Sequence, residues 1–231
     1  MLALHGPEVH QTEIAMADHT RSPRNTTVCG MTGSGKTTFV IRLLLNANSV
    51  CGFVYDEEER TAPRLGLTPC YTLNQCEAAL ASRLVVFSPR RMFLPQPGDR
   101  DLAAPVKRGF RWFCSWIFEV CQRAPGEKIV SLPEIWKYCT DESIPVEFAM
   151  LMQQGRELGC HIVCDTSRPE LVNGSVIGAT TELVCFKMIE PDALNTLRKL
   201  RADVALVENQ NLGEFIAYNR LTGGVLRGKL F

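Results

Sequence analysis

The stretch from Gly30 to Thr38, GMTGSGKTT, constrains this chain more than any other part of its sequence. It fits the pattern G-x-x-x-x-G-K-[ST], with Gly30, Gly35, Lys36 and Thr37 at the fixed positions. A short apolar run precedes this stretch, and a segment with apolar residues at helical spacing follows it. The sequence therefore predicts a strand, a glycine-rich loop and a helix in that order, which is the context that a phosphate-binding loop requires.

The chemistry of this loop favours an anion. Glycines allow consecutive backbone N–H groups to face inward, and the N-terminus of the following helix adds partial positive charge. We predict that the loop binds ATP, with Lys36 at the β- and γ-phosphates and the Thr37 hydroxyl on Mg²⁺. The predicted nucleotide-binding residues are Gly30, Met31, Thr32, Gly33, Ser34, Gly35, Lys36, Thr37 and Thr38. The alternative is a glycine-rich turn that binds nothing, and it leaves the following Lys and Thr unexplained.

The size and charge of the chain limit what else it can contain. The chain has 231 residues, of which 45% are hydrophobic, enough for one well-buried domain. We predict an N-terminal extension over residues 1–24 and one P-loop domain over residues 25–231. The 25 basic residues are balanced by 25 acidic ones, whereas a large nucleic-acid surface usually leaves a basic excess. Any contact with DNA should therefore be local.

The order of apolar runs predicts an α/β fold. Strands are predicted at 25–29, 49–55, 84–87, 128–132, 161–164, 182–186, 213–218 and 225–231, and helices at 36–47, 72–82, 108–123, 145–158 and 191–199. Strands that alternate with helices indicate a mostly parallel sheet with helices on both faces. The last two strands form a predicted β-hairpin, and residues 88–106 a proline-rich loop. The aromatic-rich helix 108–123 either packs in the core or contacts another subunit or a membrane.

Ten cysteines are spread along the chain, and none forms a C-x-x-C pair. This spacing favours free buried thiols. A metal site at Cys160, His161 and Cys164 is the alternative, which strand alternation disfavours because neighbouring side chains would point to opposite faces.

Hydrolysis of ATP needs an acidic group as well as the loop, and two segments offer one. The first is Asp56-Glu57 at the end of a predicted strand, and the second is Glu134 after the strand KIVSL. The alternatives are a solvated acidic turn at residues 56–59 and an ordinary glutamate at a helix start at Glu134.

Several segments together resemble the FtsK/HerA superfamily of P-loop ATPases, which have a RecA-like fold. The resemblance spans about residues 26–228 and is closest to the genome-packaging ATPases of tailless, membrane-containing icosahedral viruses. It is carried by GMTGSGKT (30–37), FVYDEEE (53–59), KIVSLPEIWKY (128–138), QGRELG (154–159), HIVCDTSRPELVNGSVIG (161–178) and ELVCFKMIEPDAL (182–194).

The resemblance implies a role for individual residues. Glu134 resembles the base that polarises the attacking water, and Arg156 resembles an arginine that a neighbouring subunit offers to the γ-phosphate. Ser167 stands where the family has a glutamine sensor. The sequence departs from the family at Ser167 and at Pro133, which replaces a magnesium-binding aspartate. We hypothesise that Asp165, at the end of a neighbouring strand, supplies the missing carboxylate for Mg²⁺.

The resemblance implies an ATP-driven translocase of double-stranded DNA that fills a viral capsid. It would be a homo-oligomeric ring, expected to be a hexamer. The ring would contact capsid vertex proteins, and it would be found at the packaging vertex of the virion and in the host cytoplasm. Candidate DNA contacts are Arg90, Arg91, Lys107, Arg108, Arg198, Lys199 and Arg201. The alternative is a nucleotide-dependent assembly or secretion factor with weak ATPase activity, resembling filamentous-phage morphogenesis factors. A small-molecule kinase is disfavoured, since no arginine-rich lid insertion is evident.

Overall fold

A single sheet of eight strands forms the centre of the protein in a computed structural model, which describes residues 24–99 and 101–231. The strands are β1 (Asn25–Cys29), β2 (Cys51–Tyr55), β3 (Leu84–Phe87), β4 (Lys128–Leu132), β5 (Cys160–Thr166), β6 (Glu182–Phe186), β7 (Glu214–Asn219) and β8 (Val225–Lys229). The helices are α1 (Lys36–Asn46), α2 (Thr61–Arg64), α3 (Leu73–Ala79), α4 (Ala104–Arg123), α5 (Val146–Gln154), α6 (Gly174–Gly178), α7 (Pro191–Lys199) and α8 (Val204–Glu208). Short 3₁₀ turns cover Ile135–Lys137 and Pro169–Leu171.

The strand order is β3-β2-β4-β5-β1-β6-β7-β8. The first six strands in this order are parallel, and β7 and β8 are antiparallel to their neighbours. The predicted fold class is therefore confirmed, including the C-terminal hairpin. Parallel strands end at the same edge of the sheet, so the residues that follow β1, β2, β4 and β5 meet there.

Helices cover both faces of the sheet because the side chains of each strand alternate. On β1, Val28 packs with Phe39 and Leu43 of α1, whereas Cys29 packs on the opposite face with the apolar residues of α7 and α8. Helices α3 to α6 cover the remainder of that second face. The parallel part of the sheet is thus buried on both sides, which explains why strands such as β2 and β3 are almost continuously apolar.

Helix α4 differs from its prediction in extent and in pattern. It begins at Ala104 rather than at residue 108, because Pro105 lies in its first turn, where a missing N–H costs nothing. It is also amphipathic: Phe110, Phe113 and Ile117 are fully buried, which confirms core packing for this face. In the described part of the chain, no helix is long and apolar enough to span a bilayer.

Other differences are small. Strand β5 runs from Cys160 to Thr166, longer at both ends than the predicted 161–164. The short helices α2, α6 and α8 were not predicted. All ten cysteines are buried free thiols, as predicted, and His161 contacts the hydroxyl of Thr26 through Nε2 at 2.9 Å. The predicted extension lies outside the described residues except for Arg24.

Candidate active site

The loop from Gly30 to Gly35 joins β1 to α1, as predicted, and its glycines are needed for its shape. Gly33 and Gly35 have φ angles of 80° and 116°, which other residues rarely adopt. A Cβ on Gly30 would lie 2.6 Å from the Cβ of Phe186, so the backbone passes too close to β6 for any side chain. The left-handed backbone at Gly33 and Gly35 is the conformation that allows successive N–H groups to turn toward an anion.

The Lys36 side chain lies across this loop. Its ammonium donates hydrogen bonds to the carbonyl of Gly30 at 2.7 Å and to that of Met31 at 3.3 Å, and the residue is 6% exposed. The hydroxyl oxygen of Ser34 is buried with no hydrogen-bond partner within residues 24–99 and 101–231. The Ser34 hydroxyl thus lacks a partner, and the Lys36 ammonium is hydrogen-bonded to neutral carbonyls alone. Both features are expected of a loop that binds an anionic ligand.

A cleft of about 820 Å³ opens at the edge of the sheet above this loop. It brings together Lys36, Thr37, Glu134, Asp165 and Ser167, which are widely separated in the sequence. Met31, Thr32 and Gly33 of the loop also line it. The volume matches that of sites for small molecules and cofactors.

Glu134 is held in a fixed orientation on the wall of this cleft. Its backbone has a φ of 48° and a ψ of 51°, an uncommon left-handed conformation for a residue with a side chain. Its Oε2 accepts hydrogen bonds from the Ser167 backbone N–H (3.0 Å), the Ser167 hydroxyl (2.8 Å) and Nε1 of Trp136 (2.7 Å). Within the described residues Oε1 accepts no hydrogen bond. Three donors therefore fix one carboxylate oxygen and leave the other for a water molecule.

Asp165 is the buried acid of the site. It is 5% exposed, pairs in register with Val28 of β1, and accepts a hydrogen bond from the Glu134 backbone N–H at 3.2 Å. Burial and the Glu134 carboxylate raise the pKa of Asp165 to about 7, against the opposing charge of Lys36. This carboxyl therefore lacks a full counter-charge in the ligand-free protein.

Thr37 and Asp165 fit the predicted magnesium site. Both line the cleft, and Mg²⁺ is commonly bound through one or two oxygen-bearing side chains while phosphate oxygens and water complete its shell. In the described part of the chain, no cluster of three or more metal-binding side chains occurs. A Mg²⁺ ion held here together with a bound nucleotide would balance the charge of Asp165.

Solved structures with the same fold include nucleotide-bound proteins. The genome-packaging NTPase B204 of Sulfolobus turreted icosahedral virus 2, in complex with ATP-gammaS, superposes with a TM-score of 0.62 at 13% identity, covering 90% of this chain and 98% of B204. VirB4 of Thermoanaerobacter pseudethanolicus gives the same TM-score at 12% identity, covering 90% of this chain and 89% of VirB4. This chain therefore has the mixed α/β fold of B204 and VirB4. No protein-family model and no curated protein matches the sequence.

The acidic segment after β2 contributes hydrogen bonds that hold the neighbouring elements together. Asp56 is 3% exposed, and its carboxylate accepts hydrogen bonds from the backbone N–H groups of Arg60 (3.0 Å), Thr61 (2.9 Å) and Ala62 (2.9 Å). The interpretation of this segment as a solvated acidic turn is wrong for Asp56, which caps α2 instead. Glu57 accepts hydrogen bonds from the Tyr138 hydroxyl and the Lys137 ammonium, so it ties the turn that follows Glu134 to β2.

Arg156 lies outside the chain's own cleft. It is exposed in the turn between α5 and β5, at the opposite end of β5 from Asp165. A strand rises about 3.3 Å per residue, so the stretch from Cys160 to Asp165 alone spans roughly 17 Å. Arg156 therefore cannot reach the chain's own loop, and its role toward a neighbouring subunit stays a prediction.

The candidate DNA contacts fall into two groups. Lys107 and Arg108 form ion pairs with Asp101 and Asp99, Arg90 donates to the backbone carbonyl of Glu57, and Arg91 stacks on the ring of Tyr71. Within the described residues, the side chains of the second group make no ion pair. This second group comprises Arg198, Lys199 and Arg201, which are exposed at the end of α7.

Sequence reasoning missed several residues that line the cleft. Trp136 and Lys137 follow Glu134 directly, and their proximity to it could have been inferred from the sequence. Arg168 lies over the Trp136 ring at 5.1 Å. Arg64 lies on α2, which had no sequence signal because four residues are too few for a helical pattern.

Proposed function

We propose that this chain is an ATPase that hydrolyses ATP in this cleft and uses the energy to move double-stranded DNA into a viral capsid. The observation that carries the hydrolytic part is the arrangement around Glu134. One carboxylate oxygen is fixed by three donors, and the other is available on the wall of a cleft that also contains the phosphate loop.

The reaction would use the chain's own residues in the following way. A water molecule attacks the γ-phosphorus through its oxygen and gives a proton to Oε1 of Glu134. The bond between the γ-phosphorus and the β–γ bridging oxygen breaks, and ADP leaves. Lys36 leaves the carbonyls of Gly30 and Met31 and donates to the β- and γ-phosphates instead. Ser167 keeps its two hydrogen bonds to Glu134 during the reaction. It would therefore orient the base, whereas the glutamine at this position in the resembling family would contact the nucleotide. Mg²⁺ bound at Thr37 and Asp165 would supply charge that neutralises the phosphates.

The proposal that the chain moves DNA rests on its structural similarity to B204. B204 of Sulfolobus turreted icosahedral virus 2 is described as a genome-packaging NTPase, and B204 of Sulfolobus turreted icosahedral virus as a DNA-packaging ATPase. Both share the fold over almost their full length. A ring of identical subunits would bring Arg156 of one subunit to the loop of the next, which would make hydrolysis depend on assembly. Capsid vertex proteins and a viral membrane are the further partners that this proposal implies.

The test compares ATP turnover with and without duplex DNA, using Glu134→Gln to correct for contaminating ATPase. Turnover that rises with duplex DNA, but not with single-stranded DNA of the same length and concentration, supports the packaging motor. Tight ATP binding with slow turnover that DNA does not change contradicts it. That second result favours an assembly or secretion factor, for which the equal structural likeness to VirB4 is the supporting observation.

A further inference from the structure

Arg64 brings a guanidinium to the first turn of the helix that follows the phosphate loop. Arg64 lines the cleft, and its Nη2 donates a hydrogen bond to the hydroxyl of Thr38, the residue after Thr37, at 2.9 Å. Helix α2, which carries Arg64, is held by the Asp56 carboxylate through three backbone N–H groups. Asp56 thereby keeps this guanidinium close to the first turn of α1.

The other cations of the cleft are already engaged. Arg60 pairs with Glu58 at 3.0 Å, and Lys137 pairs with Glu57 at 3.1 Å and with Glu58 at 3.3 Å. Arg168 lies over the ring of Trp136. Within residues 24–99 and 101–231, the Arg64 side chain has no carboxylate partner, and its hydrogen bond is to a neutral hydroxyl. A guanidinium that is charged at every physiological pH is thus left beside an anion-binding loop.

The position of Thr38 indicates which part of a nucleotide this guanidinium would meet. In a phosphate loop, the lysine reaches the β- and γ-phosphates, the next hydroxyl holds Mg²⁺, and the remaining N–H groups cradle the α- and β-phosphates. Lys36 and Thr37 fill the first two roles. Thr38, one residue further into α1, is then beside the α-phosphate, and a short movement of the exposed Arg64 side chain would transfer its donors from the Thr38 hydroxyl to phosphate oxygens.

We propose that Arg64 binds the α-phosphate of the nucleotide and contributes to affinity for ATP and ADP alike. This inference rests on the proposed function, because it takes the cleft to be a nucleotide site. The inference adds a contact to the nucleotide from the segment after β2, which lies outside the phosphate-loop motif. It also gives Asp56 a positioning role, through α2.

The test measures dissociation constants for Mg·ATP, Mg·ADP and AMP with the wild type, Arg64→Ala and Arg64→Lys. Loss of one charge-assisted hydrogen bond is expected to weaken binding of all three nucleotides by a similar factor, about 10- to 100-fold for Arg64→Ala. Arg64→Lys, which keeps the charge but not the fork of donors, should recover part of the loss. The matched control is Arg60→Ala, on the same segment and exposed but already paired with Glu58, and it should bind as the wild type does.

Two results would overturn the inference. One is an Arg64→Ala protein that binds all three nucleotides as tightly as the wild type. The other is a loss confined to ATP, which would place the guanidinium on the γ-phosphate. If the wild type itself binds none of the nucleotides, the proposed function fails, and this outcome is seen without any variant. Arg64 is exposed, and circular dichroism of both variants checks that a loss of affinity is not a loss of folding.

Discussion

Asp165→Asn is expected to stabilise the ligand-free protein much more at pH 8 than at pH 5. Burial and the Glu134 carboxylate raise the pKa of this carboxyl from 3.8 to about 7 in the folded state. The folded protein therefore holds the proton at pH values where the unfolded chain has lost it. Stability consequently falls as the pH rises from the unfolded pKa to the folded one, and the full cost of burying the charge is present above the folded pKa. Asparagine has no charge to bury, and its side-chain oxygen can still accept the hydrogen bond from the Glu134 N–H.

The size of this effect follows from the pKa. One pKa unit corresponds to about 1.36 kcal/mol, and a folded pKa of about 7 lies roughly two units above pH 5. The free energy of unfolding of the variant relative to the wild type should therefore rise by about 2 to 3 kcal/mol between pH 5 and pH 8. For a chain of this length, that difference moves the midpoint of thermal unfolding by roughly 5 to 10 °C.

Urea denaturation of both proteins at the two pH values, without nucleotide and Mg²⁺, measures this difference. Asp192→Asn is the matched control, because Asp192 is an exposed carboxylate on the rim of the same cleft. Its effect on stability should be small at both pH values. If Asp165→Asn changes stability by the same amount at pH 5 and pH 8, the carboxyl is not held protonated by its surroundings, and the account of the acidic site is wrong.

Three further predictions concern catalysis, assembly and folding. Glu134→Gln should lower the turnover number for ATP by about 10²- to 10⁴-fold while the dissociation constant for ATP stays within about twofold; steady-state and binding assays measure both, and unchanged turnover would exclude Glu134 as the base. Arg156→Ala and Lys36→Ala should each be inactive alone, but a mixture of the two should regain ATPase activity, because Arg156→Ala subunits supply an intact loop and Lys36→Ala subunits supply the arginine. ATPase activity that does not recover on mixing would contradict an arginine that acts between subunits. Asp56→Ala should lower the free energy of unfolding by about 2 to 3 kcal/mol, because three backbone N–H groups lose their acceptor; a loss below about 0.5 kcal/mol in urea denaturation would show that water replaces the carboxylate.

The sheet and the loop could be predicted from the sequence because their signals are local. The apolar runs of β1 to β6 are buried on both faces, so their composition alone marks them. The glycine pattern fixes the loop, and the parallel order then brings the ends of β4 and β5 to it. The nearness of Glu134 and Asp165 to Lys36 follows from this topology.

The rest depends on contacts between distant residues. No sequence signal indicates that Glu134 adopts a left-handed backbone conformation, or that Ser167 donates two hydrogen bonds to its carboxylate. Asp56 resembles an exposed acidic turn in the sequence, and its burial becomes evident only with the fold of α2 around it. Glu57 and Lys137 are 80 residues apart, and their contact exists because β2 and β4 are neighbours in the sheet.

Calorimetric titration of the wild type and of Lys36→Ala with Mg·ATPγS tests most directly whether this cleft is a nucleotide site. The wild type is expected to bind one nucleotide per chain, and Lys36→Ala is expected to bind it at least about 100-fold more weakly, because the variant loses a charged donor to two phosphates. Lys229→Ala, which removes an exposed lysine from β8, should bind as the wild type does. A well-folded wild type without magnesium-dependent affinity for ATPγS, or a Lys36→Ala protein that binds it equally well, would contradict the account.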